Sequence, residues 1–392
     1  MSPAVRSLRN FFVSLQLTVV LLLLSLILVF IATLDQVHLG IWAIQKKWFH
    51  SFVVMQNTGD FSIPIFPGGY LIGGFLLINL ISAHLYRFKL TWRKTGIQLA
   101  HSGVILLLLG ELITGILQKD STMQLLEGET MKYSESFRDH ELVLIDQSNP
   151  EYDEVVAIPE AVLDDKTSLQ HPKLPFLVRV KDFHPNTNLT MRDPATAPNA
   201  DASVSGMGNR IAMIPLPMTY KPDEINRPGA YVELTGPDGS LGTWLVSPLL
   251  GAPQTFSVQG RTWSIALRLQ RYYQPFAITL LKVTHDVYPG TEIPKNFASR
   301  VRVRSDDGKE DRETTIFMNN PLRFGGMTFY QYQMNAANHM SAFQVVRNPG
   351  WLLPYVACVM MGLGLLIQFG ITLFGFINKR SATTAPAVAR SQ

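Results

Sequence analysis

The sequence predicts a membrane protein: four transmembrane α-helices plus a large, mainly β extracytoplasmic domain inserted between helices 3 and 4. Three observations carry that expectation. Phe11–Leu34, Ile63–His84, Gly96–Leu117 and Trp351–Ile377 are each apolar and long enough to cross a bilayer, for which about 20 helical residues suffice. About 230 residues, from Gln118 to Gly350, separate the third stretch from the fourth. Basic residues cluster beside some span ends and not others.

The expected organisation is therefore a membrane region over 1–117, an outer domain over 118–350, a last span over 351–377 and a tail over 378–392. Hydrophobic residues at 47% and a mean hydropathy of +0.13 are what four apolar helices averaged with a polar domain produce. The first stretch follows Arg6 and Arg9 as a signal peptide would. Its apolar run exceeds the usual 7–15 residues, and no small-x-small cleavage site precedes Asp35, so it reads as a retained anchor.

Orientation follows the excess of lysine and arginine on the cytoplasmic side. Arg87, Lys89, Arg93 and Lys94 lie between spans two and three, Arg6 and Arg9 before span one, and Lys379, Arg380 and Arg390 after span four. Lys46 and Lys47 dissent from the other face. The majority places the large domain outside the bacterial cytoplasmic (inner) membrane; in a plastid the same topology faces the thylakoid lumen. The pI near 9.0 reflects these flanking charges, so nucleic acid is not an expected partner.

The single cysteine, Cys358, falls in the fourth span and reads as a small buried apolar residue. A thiol relay of CxxC type and covalent c-type haem attachment at CxxCH are thereby excluded for this chain.

The outer domain reads as β. Strand-like segments recur at Glu141–Ile145, Phe176–Phe183, Tyr231–Leu234, Thr243–Val246, Thr262–Leu269, Ala277–Val283, Ser299–Arg304, Arg312–Met318 and Met327–Gln333. Turn signals stand at Glu127-Gly128, Gly236-Pro237-Asp238-Gly239 and Asp306-Asp307-Gly308. One large sandwich or two smaller lobes would suit this spacing. Asn186–Gly208 reads as a surface loop or lobe boundary.

Several short runs together resemble a known family. They are Ser14-Leu15-Gln16-Leu17-Thr18 in the first span and His101-Ser102-Gly103 opening the third. In the β-domain they are Lys181-Asp182-Phe183, Asn296-Phe297-Ala298-Ser299, Met318-Asn319-Asn320-Pro321-Leu322 and Gly326-Met327-Thr328-Phe329-Tyr330-Gln331, with Asn348-Pro349-Gly350 before the fourth span. In this order, across nearly the whole chain, they resemble the ResB/CcsB family of cytochrome c biogenesis (System II) proteins.

The resemblance implies a subunit of a cytochrome c synthase complex. Such a complex delivers haem across the membrane and supports its thioether attachment to apocytochrome c on the outer face. It implies a CcsA/ResC-type haem-handling partner with a tryptophan-rich outer motif, which this chain lacks, and apocytochrome c as client; thiol-reducing proteins are further partners in view. The expected cofactor is non-covalent haem b. The chain would be part of a haem lyase, not catalytic alone. A membrane-anchored scaffold or sensor that binds no haem is the competing expectation.

Histidines in or near spans are the candidate haem-binding residues, because ionisable groups there are costly and neutral imidazole ligates iron. His101 lies five residues into the third span, with Gly103 and Gly110 leaving room for a planar cofactor or for a close helix; it is the expected iron ligand. His84 ends the second span near the same face, where it is also an ordinary interfacial residue. His339 stands shortly before Trp351, on the side where haem would emerge. His285, His140, His171 and His184 read as structural. Glu111 reads as a carboxylate snorkelling to the outer headgroups, or as part of a proton path. Asn79 and Gln368 read as interhelical hydrogen-bonders, and Gly68-Gly69 and Gly73-Gly74 as close-packing sites. No Ser/His/Asp order, zinc-spaced ligand set or phosphate loop supports an independent hydrolase or transferase.

Overall fold

A computed structural model describes residues 2–58, 61–87, 91–163, 168–192, 205–219, 224–291, 294–335 and 337–384. In chain order these form α1 (Pro3–Phe12), α2 (Leu15–Ile44), a π-helical turn (Gln45–Phe49), β1 (Val53–Thr58), β2 (Phe61–Pro67), α3 (Gly69–Arg87) and α4 (Thr95–Leu117). Then come β3 (Lys119–Leu126), β4 (Thr130–Asp146), β5 (Glu154–Pro159), the single turn α5 (Glu160–Leu163), β6 (Ser168–Leu169), β7 (Leu177–His184), β8 (Thr187–Met191) and β9 (Ile211–Pro215). The chain continues through β10 (Gly229–Gly236), β11 (Gly239–Val246), β12 (Gln254–Val258), β13 (Arg261–Val287), β14 (Pro294–Ser305), β15 (Asp311–Phe317), β16 (Leu322–Phe324), β17 (Met327–Asn335) and β18 (Met340–Arg347) to α6 (Leu353–Thr384). Two compact units result, one of Met1–Lys119 with Asn348–Gln392 and one of Asp120–Arg347. Lys89, Arg390 and the greater part of Asn186–Gly208 lie outside the described residues.

The first unit contains four helices long and apolar enough to cross a membrane. Their bounds differ from the sequence expectation where the chain punctuates itself. The first span opens at Leu15, not Phe11, because Val13 and Ser14 break the helix; Ser14 is extended and its hydroxyl accepts from the Leu17 amide as an N-cap. Past Leu34 it continues to a kink at Gly40 (φ +70°, ψ +167°), after which a last helical stretch reaches Ile44. The second begins at Gly69, not Ile63, since Phe61–Pro67 pairs with Val53–Thr58 as a hairpin; Pro64 and Pro67 carry no amide proton for a helix. The fourth runs from Leu353 to Thr384.

Helices α4 and α6 meet along glycines. A Cβ at Gly96 would sit 2.5 Å from the Gln368 amide nitrogen, and one at Gly103 would sit 2.6 Å from Met361 Cγ and 2.8 Å from the Ala357 carbonyl oxygen. Gly364 on α6 faces the backbone of Ala100 in return. Without a hydrophobic drive between helices in lipid, such close approach is a main source of association. Asn348 closes the seam, donating to Thr114 Oγ1 at 3.1 Å and Gln118 Oε1 at 3.2 Å while accepting from the Gly350 amide at 2.8 Å.

Asn79, 2% exposed, does the work expected of an interhelical hydrogen-bonder: it donates to the Phe12 and Ser14 carbonyls at 2.7 and 3.1 Å and accepts from Thr18 at 2.6 Å. The Phe12 carbonyl is one of those left over where α1 ends. Gln368 departs from the expectation, since its buried Oε1 accepts no hydrogen bond among the described residues while its Cβ packs on Gly96. Gly68 and Gly69 lie against the backbone of Ser51 and Phe49, whereas Gly73 and Gly74 face open space. Cys358 is exposed on α6, not buried.

The second unit is mainly β. A ten-stranded sheet runs β15-β14-β13-β4-β3-β18-β17-β16, with β12 added to β13 and β5 to β4; a four-stranded sheet runs β11-β10-β7-β6. One core lies between the sheets and includes Leu142, Leu144, Val178, Val232, Trp263 and Ile265. A second forms where the large sheet folds back on itself, with Leu125, Phe276, Ile278, Val301, Phe329 and Phe343. Strand β13 joins them. The sequence reads it as two strands; the structure makes it one, with register shifts between Leu269 and Arg271 and between Tyr273 and Ile278. Pro275, unable to donate to the ladder, falls in the second irregularity.

The three turn signals form turns: Pro237–Asp238 link β10 to β11, Gly128 (φ +87°) follows β3, and Gly308 (φ +70°) follows β14. Asn186–Gly208 is not wholly loop, because Thr187–Met191 pairs with Ile211–Pro215.

Candidate functional site

In an apolar helix a histidine remains where its ring nitrogens find partners. His101, partly buried on α4, has Nδ1 2.8 Å from the Ile97 carbonyl one turn back. A carbonyl only accepts, so Nδ1 carries the proton, and in the neutral form the lone pair is on Nε2. That is the tautomer a metal-ligating histidine adopts when its other nitrogen bonds a backbone carbonyl.

His84 of α3 reaches the same place. The His84 and His101 rings meet edge to face, centroids 5.8 Å apart and planes at 60°. The structure thus brings together two of the three candidate histidines. Gly103 is filled by Met361 and Gly110 by Leu353, so the glycines serve a close helix and not a planar cofactor on that side. His101 lies on the face of α4 toward His84 of α3, and an iron-porphyrin would have to be approached from there. The donor set fits such a group: two imidazoles side by side, one with Nδ1 bonded to a backbone carbonyl.

His339 belongs to the other unit. It sits in the β17–β18 turn at φ +50°, 69% exposed, with Nδ1 3.1 Å from Glu127. Glu127 also accepts from the Val283 amide at 2.6 Å. The histidines read as structural have such partners: His140 on Glu160 at 3.1 Å, His184 on Asp182 at 3.1 Å, and His285 stacked on Phe297 at 4.7 Å. Glu111 is exposed near the far end of α4.

A polar cluster at the end of α2 went unread in the sequence. Asp35 accepts from Lys47 Nζ at 2.8 Å and from Trp48 Nε1 at 2.9 Å, and these line an open pocket with His38, Gln56 and Phe66. The spacing of 12 and 13 residues across a helix end gave no local signal. Lys47, counted against the charge rule, is thus neutralised by its neighbour. His50 stacks on Tyr70 with centroids 5.4 Å apart.

In the β unit the motif runs divide between core and surface. Leu322 and Phe329 are buried, and Gln331 accepts from Ser299 at 2.7 Å and donates to Ser341 at 2.8 Å. Met318, Tyr330 and Tyr332 are exposed. Gly325 must be glycine twice over, with φ +58° and a Cβ position 2.5 Å from Phe276 Cε1.

The family model for ResB-like proteins matches residues 254–341, which run from β12 into β18 and hold most of the second core. Residues 254–341 are ResB-like. Protein NrfI of Wolinella succinogenes is 32% identical over 92 residues, 24% of this chain and 10% of that protein. The cytochrome c biogenesis protein CcsB of Synechococcus elongatus is 32% identical over 93 residues, 24% of this chain and 20% of that protein, and CcsB of a second Synechococcus strain matches equally. The chain thus spans a fifth or less of the relatives' length. The ResB-like segment contains Asn296–Ser299, Met318–Leu322 and Gly326–Gln331, along with His285 and His339.

Proposed function

We propose that this chain is a membrane subunit of cytochrome c biogenesis, acting in a ResB/CcsB-type complex that passes haem to the outer face of the membrane. The observation that carries the proposal is the meeting of His84 and His101 on adjacent apolar helices of a chain with a ResB-like segment. Haem is here cargo and substrate, held non-covalently as haem b. His101, with its lone pair on Nε2, is the first ligand, His84 the second position at the same site, and His339 a separate solvent-facing contact.

The chemistry supported is addition of apocytochrome cysteine S–H across the haem vinyl groups. Each addition forms one C–S bond, sends the thiol proton to the neighbouring vinyl carbon, and consumes no net oxidant or reductant once the thiols are reduced. This chain would hold and orient, not supply an acid or base. A CcsA/ResC-type protein would supply the remaining ligands, apocytochrome c is the client, and thiol-reducing proteins keep its cysteines reduced. The location proposed is the bacterial inner membrane with the β unit outside, or a thylakoid with the β unit in the lumen.

The test is the visible spectrum of the detergent-purified chain, co-expressed with a CcsA/ResC-type partner, as wild type, His101→Ala and His84→Ala. A reduced low-spin haem spectrum lost or shifted in His101→Ala, with a smaller change in His84→Ala, is expected. Identical spectra in all three would remove both histidines from the iron. A haem-free complex that still supports cytochrome maturation would establish a scaffold instead.

A further inference from the structure

Helix α1 is ten residues long, about 15 Å, half of what a span needs. Its apolar side chains Val5, Leu8 and Phe11 recur every three residues and are exposed by 47%, 60% and 53%. Arg6, Ser7, Arg9 and Asn10 occupy the other side. We propose that α1 lies in the plane of the membrane surface and that Arg6, Arg9 and Arg87 there bind the phosphates of anionic phospholipids.

Its position is built, which sets it apart from a loose tail. Asn79 holds the Phe12 and Ser14 carbonyls, Arg87 donates to the Val13 carbonyl at 3.1 Å, and Phe12 stacks on Phe75 at 6.0 Å and 10°. The Arg9 guanidinium stands 5.7 Å from the Tyr86 ring centre. With Phe12 docked, Val5, Leu8 and Phe11 remain on the outside of the bundle.

Charge decides the occupant. Arg6 and Arg9 lie on α1, Arg87 at the end of α3, and Arg93 and Lys94 in the 3₁₀ turn (Trp92–Lys94) before α4, and no carboxylate occurs in residues 2–34 or 61–110. None of the five forms an ion pair among the described residues. A short helix with one apolar and one cationic side matches the boundary of an anionic leaflet, which offers acyl chains and phosphates within about 5–10 Å of depth. Each cation near such a surface adds about a fivefold preference. An acidic partner protein would satisfy the arginines but leave Val5, Leu8 and Phe11 without an acyl environment.

The test uses the full chain with Cys358→Ser, a nitroxide on Leu8→Cys or on Ser7→Cys, and vesicles of phosphatidylcholine with or without phosphatidylglycerol. Expected is a Leu8 label reached by oxygen and shielded from a water-soluble nickel chelate, with the reverse at Ser7. Equal access at both positions, or shielding of both from both agents, would overturn the in-plane placement. Native mass spectrometry after mild extraction then reads bound lipid. The triple variant Arg6→Gln, Arg9→Gln, Arg87→Gln should retain at least tenfold less phosphatidylglycerol than wild type, and the corresponding lysine variant should retain it. Equal retention by the glutamine variant, or loss in the lysine variant, would overturn the headgroup assignment.

Discussion

The helical unit and the β unit treat buried polar groups differently. In the helical unit polar groups stand singly or in small sets: Asn79 where α1 breaks from α2, Asp35 with Lys47 and Trp48, His101 beside His84, Asn348 just before α6. In the β unit they gather in a belt between two apolar cores, where Ser121, Ser134, Gln274, Glu141 and Arg268 lie around the irregular middle of β13. A sheet that changes register leaves ladder groups and strand surfaces to be mended, so polar side chains there follow from the fold. A helix in lipid satisfies its own backbone. A polar side chain in it therefore marks a break, a seam or a site.

The belt gives the largest expected effect. Glu141 is almost wholly buried and accepts from Arg268 Nε at 3.1 Å. Arg268→Met should leave that carboxylate unpaired and cost about 3–5 kcal/mol in denaturant unfolding of the β unit. A near-neutral result would make the belt ordinary surface chemistry.

Gly96→Val places methyl groups against the backbone of Gln368 and should cost about 3 kcal/mol, seen as a lowered Tm in detergent. The same change at Gly74, which faces open space, should cost little and serves as the control.

Asn79→Leu removes the bonds to Phe12, Ser14 and Thr18 and should cost about 1–2 kcal/mol. It should also loosen α1, raising protease access at Arg6 and Arg9.

The smallest effect distinguishes the units by acid. Asp146 accepts from Ser148, and, against its burial, that bond and Arg261 hold its carboxyl below the ordinary 3.8. A lowered folded value stabilises above the unfolded one, so its contribution is full above about pH 5 and lost as pH falls below about 4 and on through the folded value. Asp146→Asn should flatten the acid limb of β-unit unfolding without altering melting of the helices.

How much could be read beforehand differs by element. The four apolar helices were legible because about 20 consecutive apolar residues have few other fates. Hairpin β10–β11 was legible because Pro237-Asp238 fits a two-residue turn flanked by glycine. Strands β3, β5, β12 and β18 were not, although each pairs with the strand next to it in the chain; β5 and β12 are only six and five residues long, too short for a clear alternation. Most of β2, from Ile63 to Pro67, was absorbed into the second span because it is nearly as apolar as the helix it precedes.

For the candidate site, the sequence alone determined that His101 and His84 sit in apolar helices near one end, because helical rise and span length fix depth along the chain. It also determined the charge asymmetry and the motif order of the ResB-like segment. Only tertiary structure decided which side of α4 is taken by α6 and which by His84, since Gly103 is equally suited to a cofactor and to a neighbouring helix until the neighbour is placed. Depth is a one-dimensional quantity and can be counted; facing depends on what packs against the helix, and that information is distributed over residues hundreds of positions apart.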